Sequence, residues 1–236
     1  MNALRHSITR RLRSGEIHVF VVWLSSRLRP GTLLRGLSRV ERKVSRTFMN
    51  VQARIEYIAS RFCMRLLASK YLGIGRCEIE LRKTATGQPQ LVSLRGARAH
   101  HLNISLSHCV RGVAIAFAHK TRIGVDLEMH RPQVATKAVA RWLIGAERTL
   151  VEPRQILDCW TRKEALLKGL GLGLFGLASA PPLEHRTNVA TAGAAVWTVD
   201  SLSVAPDCSL ACAAESVQRR IRLFTFRSCT TINRSF

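Results

Sequence analysis

Two short segments constrain this chain more than any other part of it. The first is Ile123-Gly124-Val125-Asp126-Leu127-Glu128, and the second is Trp160-Thr161-Arg162-Lys163-Glu164-Ala165-Leu166-Leu167-Lys168. The first alternates as a strand does, so Asp126 and Glu128 share one face and present two carboxylates from an otherwise apolar run. That arrangement is costly without a cation, because neighbouring like charges raise each other's pKa. In the second segment helical spacing sets Glu164 and Lys168 four apart on one face. A third carboxylate and an ammonium can therefore meet the first two, a set of groups suited to Mg²⁺ and a phosphate.

Acid is scarce elsewhere, which sharpens the reading. There are 37 Lys plus Arg against 15 Asp plus Glu, a formal net charge of +22. Such an excess suits an anionic partner such as nucleic acid, a membrane surface, an acidic protein or a phosphate-rich cofactor, and it says nothing about fold. Aromatic residues make up only 6% of the chain, and no zinc-finger or RNP-like pattern stands among the basic residues, so nucleic acid is not the expected partner. The seven cysteines form no Cys-x-x-Cys pair, which indicates neither a disulfide framework nor a zinc site and makes the cytosol the expected location. No apolar run approaches the roughly 20 residues that span a bilayer, so no membrane partner is expected.

At 236 residues with 47% hydrophobic content, the chain can fill a sizeable core. Residues 1–15 carry Arg5, Arg10, Arg11 and Arg13 and no acid, and read as a basic N-terminal extension. Strands are predicted at Glu16–Leu24, Ile79–Arg82, Leu102–Leu106, Gly112–Ala118, Ile123–Glu128, Val196–Val204, Leu210–Ala214 and Ile221–Phe226. Helical periodicity covers Leu37–Leu72 as one or two helices, then Val134–Leu150 and Ile156–Lys168. Each half thus holds a helix with strands. The expectation is an α+β protein with antiparallel strands in two lobes, residues 16–119 and 120–236, with the metal site in the second and a cleft between them.

With these residues in view, the chain resembles the 4′-phosphopantetheinyl transferases of the large, single-chain type that activate carrier proteins of peptide and polyketide synthetases. The resemblance rests on Ile123 to Glu128 for one signature and Trp160 to Lys168, continued by Gly171-x-Gly173-Leu174, for the other. Weaker agreement lies in Ser105-Leu106-Ser107-His108, in Gly87-x-Pro89 and in the helix from Ser60-Arg61 to Leu72. It implies two pseudo-symmetric α/β lobes with coenzyme A (CoA) between them. The implied reaction is attack of a carrier serine, on an apo acyl or peptidyl carrier protein of acidic character, at the β-phosphate of CoA, with release of 3′,5′-ADP.

The resemblance further implies that Asp126, Glu128 and Glu164 hold Mg²⁺, that Glu164 is also the base, directly or through a water, and that Lys168 neutralises phosphate. Ser107 and His108 are implied to reach the 3′-phosphate, and Arg42, Arg54 and Lys163 are further candidates for binding CoA. Three positions depart from the family pattern: Gln88 where a lysine is usual, Glu56 where an arginine is expected, and Ser105 for an asparagine. Both lobes in one chain make a monomer the expectation. Two other readings are a basic nucleic-acid-binding protein, marked by steep salt dependence, and a catalytically weakened member of the fold that binds CoA or carrier without turnover.

Overall fold

The computed structural model describes residues 9–25, 28–93, 101–130, 133–173, 176, 183, 188–192, 194–215 and 220–232. In chain order the elements are β1 (Ile17–Trp23), α1 (Pro30–Leu34), α2 (Arg39–Ser45), α3 (Val51–Leu72), β2 (Ile79–Lys83), β3 (Pro89–Ser93), β4 (Leu102–Cys109), β5 (Gly112–His119), β6 (Ile123–Met129), α4 (Gln133–Ala140), α5 (Pro153–Leu170), β7 (Val189–Ala192), β8 (Ala195–Ser201), β9 (Cys208–Ala214) and β10 (Ile221–Phe226). One four-stranded sheet has the order β10-β1-β5-β4, a second has β6-β9-β8-β7, and β2-β3 is a separate hairpin.

The two sheets repeat one plan. In the first lobe β1 leads to α3, and β1 then pairs antiparallel with β5, which pairs with β4. In the second lobe β6 leads to α5, and β6 pairs antiparallel with β9, which pairs with β8. The expected pseudo-symmetry is therefore present in the topology.

Alternation along the strands explains the layering. On β1, Phe20 and Val22 join the cluster built on α3, while Ile17, Val19 and Val21 join Val125, Leu127, Leu210 and Cys212 of the second sheet. A strand buried on both faces reads as a continuous apolar run. The order of layers is α3, first sheet, second sheet, α5, with Trp197, Val199, Ala211 and Ala213 packed on Ala165 and Leu166 of α5.

Several expectations are corrected. Residues 9–13 are helical and Leu12 is buried in the first core, so the extension is part of the first lobe from there on, while residues 1–8 lie outside the described residues. Strand β10, expected with the second lobe, pairs in parallel with β1 through Ile17↔Ile221 to Val22↔Phe226. The sheets are thus not wholly antiparallel, because the chain returns over the first lobe and can meet β1 only from its free edge. Leu37–Leu72, expected as one or two helices, is two, α2 and α3, parted at 46–50, whereas Val134–Leu150, expected as one helix, is a helix to Ala140 and then a 3₁₀ turn at Gly145–Thr149. The hairpin partner of β2 is β3, a strand absent from those expected. Leu174 of the glycine-rich exit lies outside the described residues.

Candidate active site between the two lobes

The site is built where β6, β4 and α5 meet. On β6 the residues Ile123, Val125 and Leu127 enter the core between the sheets, so Gly124, Asp126 and Glu128 take the opposite face, against α5. Helix α5 begins with Pro153 and ends at Gly171 in a left-handed conformation with φ of 78°, the backbone state that favours glycine as a stop. Its approach to β6 depends on Gly124. A Cβ there would lie 1.8 Å from the carbonyl oxygen of Ala165 and 2.5 Å from the backbone nitrogen of Gly169, so helix and strand meet backbone to backbone.

This approach brings the predicted acids together. One carboxylate oxygen each from Asp126, Glu128 and Glu164 lies within 4.8 Å of the others. Asp126 is 1% exposed; its Oδ1 accepts from Lys168 Nζ at 2.5 Å and from Ser107 Oγ at 2.7 Å. Lys168 also donates to Ser107 Oγ at 3.0 Å and lies 3.9 Å from Glu164 Oε1. The other oxygen, Asp126 Oδ2, is buried with no donor among the described residues. A buried acceptor left bare in native protein calls for an explanation such as an ion, and hard carboxylate oxygens are the donors that Mg²⁺ takes. The residues present therefore fit a divalent cation.

Burial pushes the Glu164 carboxyl up to about 7, with the charge of Asp126 adding to the rise and Lys168 and the indole N–H of Trp160 opposing it. Burial pulls the Lys168 ammonium down, but the charges of Asp126 and Glu164 outweigh it and hold its pKa above the ordinary lysine value. Trp160, Glu164 and Lys168 form a single stripe of i, i+4 neighbours on α5. The sequence reading named Trp160 only as part of a motif; the spacing that paired Glu164 with Lys168 also pairs Trp160 with Glu164.

A cleft of about 210 Å³ opens beside this cluster, lined by Thr86 to Pro89, by Ile104, Ser105 and Leu106 of β4, and by Glu164, Leu167 and Lys168. Ser105 accepts from the Val125 backbone N–H at 3.0 Å, which ties the lobes together. Gln88 faces the cleft and donates its side-chain amide to the carbonyl of Lys168 at the end of α5. The same carbonyl accepts from the Gly171 backbone N–H at 3.3 Å, so the Gln88 amide adds a second donor at the helix end.

Ser107 and His108 do not share a pocket. Adjacent strand residues face opposite ways, and while Ser107 meets Asp126 and Lys168, His108 turns toward α3, its Nδ1 3.3 Å from Glu56 Oε2. Arg42 donates to the Leu37 carbonyl at 2.7 Å, and Arg54 lies near the start of α3 with its Nε unbonded among the described residues; neither bonds to the carboxylate cluster. Lys163 is a correction to the expected set. It is 0% exposed, and its ammonium lies 2.7 Å from the equally buried Glu147, which also accepts from the backbone N–H groups of Ile144 and Leu183. One residue from Glu164 on a helix is a turn of about 100°, enough to carry Lys163 into the core.

Next to the cluster, Ser209 stands opposite Glu128 in the β6–β9 register. Its hydroxyl bonds both to Asp158 of α5 and to His130 Nε2, the latter at 2.9 Å. The hydroxyl lies between acid and imidazole, whereas hydrolytic triads place the imidazole in the middle. This is a polar brace between β6, β9 and α5, not a nucleophile. Its signal in the sequence was the continuation of the Asp126, Glu128 alternation to His130.

Comparison with known proteins agrees with this geometry. Residues 22–120 match the family model described as 4′-phosphopantetheinyl transferase, N-terminal, and residues 122–207 match that of the 4′-phosphopantetheinyl transferase superfamily. A phosphopantetheinyl transferase of Thraustochytrium sp. is 25% identical over 176 residues, covering 66% of this chain and 60% of that protein. The 4′-phosphopantetheinyl transferase HetI of Nostoc sp. is 29% identical over 174 residues, covering 69% of this chain and 72% of that protein. The chain thus spans less than two thirds of the length of the first of these relatives. The crystal structure of Thermotoga maritima holo-[acyl-carrier-protein] synthase superposes with a TM-score of 0.32 at 20% identity, covering 52% of this chain and 89% of that one. On the two consecutive family matches, one to each lobe, the chain belongs to the 4′-phosphopantetheinyl transferase superfamily.

Proposed function

We propose that this protein transfers 4′-phosphopantetheine from CoA to a serine of an apo acyl or peptidyl carrier protein in a Mg²⁺-dependent reaction, acting as a monomer in the cytosol. The observation that carries this reading is the convergence of Asp126, Glu128 and Glu164 within 4.8 Å, with Lys168 against Asp126, at the cleft between lobes. All four residues come from one chain, which supports a monomer.

Displacement at phosphorus depends mainly on positioning and on neutralising charge at the phosphoryl and leaving oxygens. Asp126, Glu128 and Glu164 would hold the divalent cation, which supplies that neutralisation when bound. Lys168 spends two of its three N–H donors on Asp126 and Ser107; the third is free to meet a phosphate oxygen. The attacking serine oxygen bonds to the β-phosphorus as the bond to the departing 3′,5′-ADP oxygen breaks. The serine proton passes to Glu164, directly or through a water, since a base needs only hydrogen-bond reach to the proton it takes.

The test is incubation with CoA, Mg²⁺ and an acidic apo carrier protein, read by intact mass. The expected result is a gain of one phosphopantetheine that EDTA abolishes and Mg²⁺ restores. No gain across several unrelated carriers would overturn the proposal, and steeply salt-dependent binding to mixed DNA in its place would favour the nucleic-acid reading.

A further inference from the structure

A cavity of about 310 Å³ lies at the end of the first lobe away from the carboxylate cluster, and the transfer reaction makes no use of it. Its floor is apolar, built from Leu12, from Tyr71 and Leu72 at the end of α3, and from Leu102 at the start of β4, all of them buried. Tyr71 offers its ring, because its hydroxyl is taken up by His18 Nδ1 at 2.6 Å. The rim is basic, with Arg13 from the helical turn at 9–13, His101 and His119. Leu102 and His119 stand opposite each other in the β4–β5 register, so the imidazole lies beside the apolar floor. The His101 ring meets it edge-on, with centroids 5.8 Å apart.

This rim lacks a countercharge. Burial pulls the His119 imidazole below its ordinary pKa of 6.5, and Lys120, His101 and Arg13 push it the same way with no acid opposing them. Among the described residues no carboxylate pairs with Arg13, His101 or His119. Glu16, the first acid of the chain, is already shared by Arg11, His18, Arg220 and Arg222.

The cavity is also remote from the reaction centre. On β4, Ser107 follows Leu102 by five residues, about 17 Å at the rise of a strand. On α3, Tyr71 follows Glu56, the partner of His108, by fifteen residues, about 22 Å at the rise of a helix.

We propose that this cavity binds a small organic carboxylate with an apolar chain, of the medium-chain fatty acid class, its head held by Arg13, His101 and His119 and its chain laid on Leu12, Tyr71, Leu72 and Leu102. The inference is independent of the transferase reading. A guanidinium fork matches a carboxylate, and imidazole N–H groups add charge-assisted bonds to it. An apolar cavity of this size with a few polar groups converging at one end is the usual form of a small-molecule site. Inorganic phosphate would satisfy the rim and leave the floor bare, while an uncharged chain would cover the floor and leave the cations unpaired. A single ligand that does both must carry its charge at the end of an apolar body.

The test is calorimetric titration of the full chain with octanoate, with octanol and inorganic phosphate as its two halves. The expected result is one octanoate per chain, bound about tenfold or more tightly than either half. Arg13→Gln, and separately His101→Gln with His119→Gln, should each weaken octanoate binding about tenfold. Arg13 and His101 are exposed and His119 half-buried, so melting temperatures should stay near the wild type; if the histidine pair fails to fold, Arg13→Gln decides alone. Saturating CoA should leave the octanoate affinity unchanged. A wild type that binds no octanoate overturns the proposal, and so does a folded variant that binds it as tightly as the wild type. Octanol or phosphate binding as tightly as octanoate overturns it by reducing the site to one of its halves. Displacement of octanoate by CoA overturns it by placing the carboxylate in the active cleft.

Discussion

Asp126 accepts hydrogen bonds from Ser107 and Lys168 through one oxygen and leaves the other bare in a buried place. Replacing it with Asn keeps the shape and removes the charge that balances Lys168 and a metal ion. Asp126→Asn and Glu164→Gln are each expected to lower kcat by about 10²–10⁴-fold, the range set by a positioned base, with the fold retained by circular dichroism. Lys163, one residue away, behaves differently. With Glu147 it forms an ion pair in which both partners are fully buried, and deleting one charge strands the other. Lys163→Met is expected to cost about 3–5 kcal/mol in denaturant unfolding, while the protein that remains folded keeps its KM for CoA. The sequence places Lys163 beside Glu164 and gives no sign of which side of α5 meets Glu147, because that partner comes from the 3₁₀ turn at Gly145–Thr149.

The contact of α5 with β6 is the element on which the site depends. Gly124→Ala would drive a methyl group into the Ala165 carbonyl, and overpacking of this kind costs about 1–3 kcal/mol or more. The expected outcome is a lower melting temperature together with weakened activity, since separating helix from strand draws Glu164 and Lys168 away from Asp126. Fluorescence melting and transfer assays read both. Strand β10 makes a second test. Phe226 is buried against the first core and within 6.3 Å of Phe20 in a stacked arrangement, so Phe226→Ala is expected to destabilise the protein by about 3–5 kcal/mol. If β10 belonged to the second lobe, as the order of the chain suggests, the substitution would leave the first lobe untouched.

Taken as a fold, the protein stacks two sheets between two long helices and seals the first lobe with its own C-terminal strand. His18 lies inside this stack with 0% exposure, its Nδ1 2.6 Å from the Tyr71 hydroxyl and its Nε2 facing Glu16. Burial pulls the imidazole below its ordinary pKa of 6.5, helped by Arg222 and Arg11, against the smaller opposing pull of Glu16. The unfolded chain therefore takes up a proton near pH 6.5 that the folded chain refuses, so stability present above that pH is lost as pH falls below it. Between pH 7 and pH 5 His18 thus lowers the melting temperature, while Glu164, protonated in the folded state from about pH 7 and in the unfolded chain only near 4.5, raises it. The His18 contribution is read as the difference between wild type and His18→Gln, which keeps an acceptor for Tyr71: wild type is expected to lose more stability, or gain less, than the variant as pH falls from 7 to 5. Among the described residues no helix is long and apolar enough to cross a membrane.

What the sequence determined by itself is what backbone periodicity controls. The two-residue repeat of a strand set Asp126 and Glu128 on one face, the i, i+4 spacing of a helix joined Glu164 to Lys168, and the apolar runs located β1, β5, β6 and α5 within a few residues. Only the tertiary structure decided which faces meet. It turned Ser107 toward Asp126 and His108 toward Glu56, sent Lys163 to Glu147, set Gln88 on the last turn of α5 and brought β10 back to β1. Each of these is a contact between segments far apart in the chain. Such contacts are chosen by close packing and by the need to satisfy buried polar groups, and neither leaves a local trace in the order of residues.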